Sequence, residues 1–126
     1  MRPKNLAEIA ELTLQGAPFD ICLKNFLDGF YANPASEALA PEPLRIGETF
    51  PEMGFIQDAY LAAVAEALAT NAGLETPAWA FAESRSLKRP WFALDYASLR
   101  ALLLWESPAP FRSRNLFVSE NALSRV

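Results

Sequence analysis

Apolar residues recur at helical spacing along much of the chain, and one stretch carries that signal more clearly than the rest. Phe19, Cys22, Leu23, Phe26, Leu27 and Phe30 fall at i, i+3, i+4, i+7, i+8 and i+11, the spacing of a single helix face. Asp20, Lys24 and Asp28 stand opposite at four-residue intervals, where they can pair along a solvated side. Pro18 fits the first turn, where a missing N–H costs nothing. An earlier helix is expected from Asn5, which has the capping-box spacing to Glu8. Leu6, Ile9, Ala10 and Thr13 give it a narrow apolar stripe, and Gly16 offers a left-handed end. Residues 53–72 predict the longest helix, with Ile56, Tyr60, Val64 and Leu68 in one row, Leu61 beside it, and Asn71-Ala72-Gly73 as the stop. Its alanines (Ala59, Ala62, Ala63, Ala65, Ala67 and Ala69) allow close approach by neighbours. A central, packed helix is the expectation.

Between these helices the pattern breaks. Residues 32–52 hold Pro34, Pro41, Pro43 and Pro51 with Asn33 and Gly47, which precludes a continuous helix. A short turn over Ser36 to Leu39 fits, as does a wrapped loop pinned by Leu39, Leu44, Ile46 and Phe50. Thr76-Pro77 reads as a cap and first-turn proline for a short helix over Ala78 to Ala82. Glu83 to Pro90 is a basic connection. Asp95 is placed to cap a helix running to about Glu106, with Leu99, Leu102, Leu103 and Trp105 as its apolar content, ended by Pro108 and Pro110. Leu116-Phe117-Val118 supports one short strand at most, and Ser119 fits as cap for a last turn over Glu120 to Arg125. The predicted architecture is all-α: about five helices around one core, a long proline-rich loop and an irregular C-terminal hook. With 126 residues, one helical domain over 1–126 is expected, able to bury roughly two-thirds of its unfolded surface.

Composition changes the picture mainly by subtraction. There is no histidine and one cysteine, Cys22. Within one chain that excludes a Ser-His-Asp triad, a Cys-His pair, an imidazole switch, a structural zinc site and a disulfide. Cys22 lies on the apolar helix face, where a thiol acts as a small hydrophobe. The five glycines are scattered, so no loop can cradle a phosphate. No metal and no cofactor is expected. The polar N-terminus has no apolar core of a secretory signal, and the longest charge-free apolar run, Ala59 to Ala65, is far too short to span a membrane. These features predict a cytoplasmic protein without a membrane partner.

Charge is asymmetric. The net charge is −4, yet residues 1–75 carry eleven acids and four bases while residues 76–126 carry four acids and seven bases. Either the halves attract each other inside one fold, or the second half offers a basic face to an acidic partner. Two groups concentrate that choice. Arg85, Lys88 and Arg89 stand beside Trp79, Trp91 and Phe92, a mixture that suits nucleobase stacking, a protein hot spot, or a solvated loop held by buried aromatics. Arg112 and Arg114 flank Ser113, where a guanidinium fork can tie the C-terminal segment to Glu106 or another acid, or meet a partner. The acids Glu83, Asp95 and Glu106 are too few and unfixed to define an acid–base pair.

The block Glu106-Ser107-Pro108-x-Pro110-Phe111-Arg112-x-Arg114-Asn115-Leu116-Phe117-Val118-x-x-x-Ala122-Leu123 resembles the C-terminal region of bacterial helix-turn-helix regulators of antitoxin type, whose genes are often paired with one for a nucleotidyltransferase-like protein. Phe26 to Tyr31, Tyr60 to Leu68, Pro77-Ala78-Trp79 and Arg89-Pro90-Trp91-Phe92 follow the order of that group. The helix-turn-helix itself is not found: the second of the two N-terminal helices exposes acids and one lysine, whereas a recognition helix should be basic. The resemblance therefore implies a non-enzymatic, partner-binding half of such a regulator, with a nucleotidyltransferase-like toxin as its protein partner. Arg85, Lys88, Arg89, Trp91, Arg112 and Arg114 are the residues expected to meet that partner, with Trp91 as apolar anchor. The alternative is a DNA-binding transcriptional regulator acting as a homodimer.

Overall fold

The computed structural model describes residues 2–94 and 96–125. Asn5 accepts the Glu8 N–H at 2.9 Å and starts α1 (Leu6–Leu14). Glu8 takes the N–H of Lys4 (2.7 Å) rather than that of Asn5, so the expected box closes one residue early. Gly16, at φ 103°, ends the helix, with Ala17 N–H donating back to the Leu12 carbonyl at 2.9 Å. Pro18 stands just outside α2 (Phe19–Ala32), in extended backbone rather than in the first turn. The predicted face of α2 is inside: Cys22, Leu23, Phe26, Leu27 and Phe30 are buried and Phe19 packs half-buried beside them. Burial pushes the Cys22 thiol pKa up, consistent with core packing.

α3 (Met53–Ala72) has the predicted bounds and closes on Gly73 at φ 70°. It is the central element, with every residue from Leu61 to Ala65 buried. Tyr60 joins its neighbours edge-on, 6.0 Å from Phe19 and 5.0 Å from Phe111 between ring centroids. At its start, Gly54 lies so close to Gly47 that a Cβ there would sit 2.7 Å from the Gly47 backbone. The 32–52 segment has a single 3-10 turn, Ser36–Ala38. Leu39 and Ile46 pin it as expected, but Leu44 and Phe50 are exposed. Polar ties do the remaining work: Trp79 Nε1 donates to the Leu39 carbonyl (3.1 Å), and Asp58 accepts the N–H groups of Ile46 and Gly47.

Two 3-10 turns follow, Ala78–Phe81 and Glu83–Arg85. Pro77, not Thr76, occupies the cap of the first, with no side-chain hydrogen bond. β1 (Trp91–Phe92) pairs in parallel with β2 (Leu116–Phe117), in the register Trp91 to Leu116 and Phe92 to Phe117. Between them come α4 (Ala97–Glu106) and the single-turn α5 (Ala109–Arg112); the cap expected at Asp95 falls outside the described residues. Residues 119–124 form hydrogen-bonded turns instead of the expected last helical turn, and the Ser119 hydroxyl accepts the Asn121 N–H at 3.2 Å. The C-terminal segment is instead tied across α2: Tyr31 OH donates to the Leu123 carbonyl (2.7 Å), and Arg125 forks onto Asp28 at 2.9 and 3.2 Å. That fork replaces the Lys24 pairing expected for Asp28.

The described residues thus form an all-α architecture of five helices with one two-residue parallel ladder. No helix among them is long and apolar enough to cross a membrane.

Candidate interaction site

The two basic segments, distant in sequence, run side by side. Leu87 N–H donates to the Arg114 carbonyl (3.1 Å), Asn115 Nδ2 to the Leu87 carbonyl (2.8 Å), and Trp91 N–H to the Asn115 carbonyl (2.9 Å). Asn115 makes this seam possible with a left-handed backbone, φ 64°, a conformation asparagine tolerates better than most residues. Ser107 holds the hook from beneath. Its buried Oγ donates to the Leu103 carbonyl at 2.6 Å and accepts the Val118 N–H at 2.8 Å.

The six candidate residues divide sharply. Arg85 is fully buried and Arg114 is 4% exposed, which corrects the expectation that either meets a partner. Arg114 donates to Glu66 Oε1 (2.6 Å), the Pro110 carbonyl (2.6 Å) and the Ala80 carbonyl (2.8 Å). It is the arginine tie foreseen for the hook, made to Glu66 rather than Glu106, whose Oε1 accepts the Glu120 N–H at 3.4 Å. Arg85 donates to the carbonyls of Pro43 (2.7 Å) and Asp58 (3.2 Å), lies 3.5 Å from Glu42, and stacks its guanidinium 4.8 Å from the Trp79 ring. Its Nε alone has no partner. Burial above all, then Arg45, pulls the Arg85 pKa down, while Asp58 and Glu42 oppose that shift. Both arginines fasten the second half of the chain to acids of the first, as Arg125 does through Asp28. The charge asymmetry is to that extent resolved inside the fold.

Lys88, Arg89 and Arg112 are different. All three are exposed, and among the described residues none makes an ion pair. Lys88 and Arg89 lie on the seam, and Arg112 ends the turn that feeds into it. Trp91 is half-buried, packed against the core while its outer part lines a cleft of about 390 Å³. That cleft lies between α2 and α3, with Phe19, Leu23, Ile56 and Tyr60 as apolar walls and Lys24 and Arg125 at the rim. Burial pushes the Tyr60 phenol pKa up to about 12. Trp91 therefore joins the basic seam to an apolar recess.

Sequence reasoning missed Asp58, 1% exposed and the hinge of the loop, Arg85 and α3 together. A signal was present: an acid among Ile56, Ala59, Leu61, Ala62 and Ala65 has to be paired or hydrogen-bonded once that stretch is buried. Glu66, the acid that receives Arg114, carried the same signal about two turns further on.

Compared with known proteins, the chain matches no family model, no curated protein and no solved structure.

Proposed function

We propose that this chain is a non-enzymatic protein-interaction module whose basic seam docks an acidic surface of a protein partner. The observation that carries this reading is the division among the arginines. Arg85 and Arg114 are held inside by acids and carbonyls, whereas Lys88, Arg89 and Arg112 are exposed and, among the described residues, make no ion pair. A backbone seam already fixed by hydrogen bonds has little conformational entropy to lose on binding, and tryptophan and arginine are favoured where binding energy concentrates. The resemblance of the C-terminal block to antitoxin-type regulators points to a nucleotidyltransferase-like protein as the partner. Lys88, Arg89 and Arg112 are few for a phosphate backbone and the net charge is −4, which disfavours direct DNA binding.

The test is affinity capture of the tagged chain from host lysate at low and high salt, read by mass spectrometry, beside a Lys88→Glu/Arg89→Glu/Arg112→Glu variant. One protein captured in stoichiometric amount by the wild type and lost by the variant supports the reading. Capture of nucleic acid that disappears with salt, or a protein held equally by the variant, contradicts it.

A further inference from the structure

The cleft beside Trp91 is a trough with a helix on each side. Phe19, Leu23 and Leu27 line it from α2, one turn apart, and Met53, Ile56 and Tyr60 line it from α3. At 1.5 Å per residue the α2 wall is about 12 Å long. The space between is about 390 Å³, within the range of small-molecule sites. Burial that pushes the Tyr60 phenol pKa up to about 12 marks the α3 wall as poorly hydrated. Charge is unevenly placed along the trough. Asp20, the one acid in the lining, precedes Lys24 by one turn and Asp28, which holds Arg125, by two. Positive charge therefore lies towards the Leu27 end. We propose that the trough binds a small amphipathic carboxylate, a medium-chain alkanoate, with its alkyl chain between α2 and α3 and its carboxylate received by Lys24 and Arg125.

Size, hydrogen bonding and charge select that occupant. A partner helix about 10 Å across, laid along the same 12 Å, would fill roughly 900 Å³, more than twice the space. An extended peptide is thin enough, but its N–H and C=O groups would face helix walls whose own backbone groups are already bonded. Left unpaired there, they would oppose binding. An alkyl chain has no such groups and gains from every methylene it buries. The head group follows from two unspent cations. Lys24 is exposed and, among the described residues, makes no ion pair. Arg125 spends Nε and Nη2 on Asp28, which leaves Nη1 to donate to a second carboxylate. Lys24 lies outside the basic seam and the occupant is a small molecule, so failure here leaves the protein-partner reading standing.

The experiment is calorimetric titration of decanoate, and of uncharged decanol, into the full chain, with methyl NMR to locate the site. Decanoate is expected to saturate at one molecule per chain and to shift the Leu23, Leu27 and Ile56 methyl signals. Lys24→Glu changes an exposed side chain; it is expected to weaken decanoate about tenfold while decanol binds both chains alike. Absence of saturation by decanoate in the millimolar range overturns the proposal, as do shifts confined to other methyls. So does decanoate affinity that survives Lys24→Glu, or an equal loss for decanol.

Discussion

Replacing Arg114 by alanine is expected to destabilise the fold by about 3 kcal/mol. The side chain serves three acceptors at 2.6 to 2.8 Å, and their fates differ when it is removed. The Ala80 carbonyl belongs to a fully buried residue and is left unsatisfied, at about 1–3 kcal/mol. Glu66 keeps a side chain 27% exposed, so water rehydrates it and the ion pair itself contributes only about 1 kcal/mol. Loss of the packed aliphatic stem supplies the rest. For a chain of this size the sum lowers the melting temperature by roughly 10 °C. Thermal melts followed by circular dichroism, with Arg112→Ala as control, decide the matter. Arg112 is exposed and makes no ion pair among the described residues, so its loss should stay within about 0.5 kcal/mol. If Arg114→Ala melts within about 2 °C of the wild type, or if Arg112→Ala is equally damaging, the assignment of Arg114 as an internal tie is refuted.

Other consequences are equally direct. Gly54→Ala should destabilise by about 2 kcal/mol, because the new Cβ meets immovable backbone at Gly47; helix propensity alone predicts a gain of about 1 kcal/mol, so the sign of the change in urea unfolding separates the two effects. The phenol of Tyr60, with its pKa raised from 10 to about 12, favours the folded state below pH 10, and that contribution fades as pH rises towards 12. Phenolate absorbance should therefore show a late component that Tyr60→Phe removes; common titration of all tyrosines near pH 10 would refute the burial argument. Asp28 has its carboxyl pKa lowered chiefly by the Arg125 hydrogen bond, so the tie is intact above the ordinary carboxylate range and opens as pH falls through the lowered value. Faster hydrogen exchange near Leu123 below about pH 4, absent in Asp28→Asn because that variant is already open, is the expected signature.

The helices were legible because each signal is local. Phe19 to Phe30 repeat at helical spacing within one element, and the alanine-rich run up to Gly73 carries its own stop. What eluded the sequence depends on contacts across long chain separations. The ladder joining Trp91 to Leu116 exists only after the hook has folded back. Arg85 looks solvated beside Lys88 and Arg89, and is buried because Pro43 and Asp58 bring carbonyls to it from 42 and 27 residues away. The conspicuous block from Glu106 to Val118 proves largely architectural: Ser107, Phe111, Arg114 and Asn115 all hold the hook in place. Within that block, Arg112 is the exposed cation left for a partner.

The most direct measurement is calorimetric titration of the captured partner, purified, against the wild-type chain and against Lys88→Glu/Arg89→Glu/Arg112→Glu. Saturable binding that weakens with salt is expected, falling at least tenfold, about 1.4 kcal/mol, in the variant, with no change in melting temperature. Equal affinity of the two chains would contradict it.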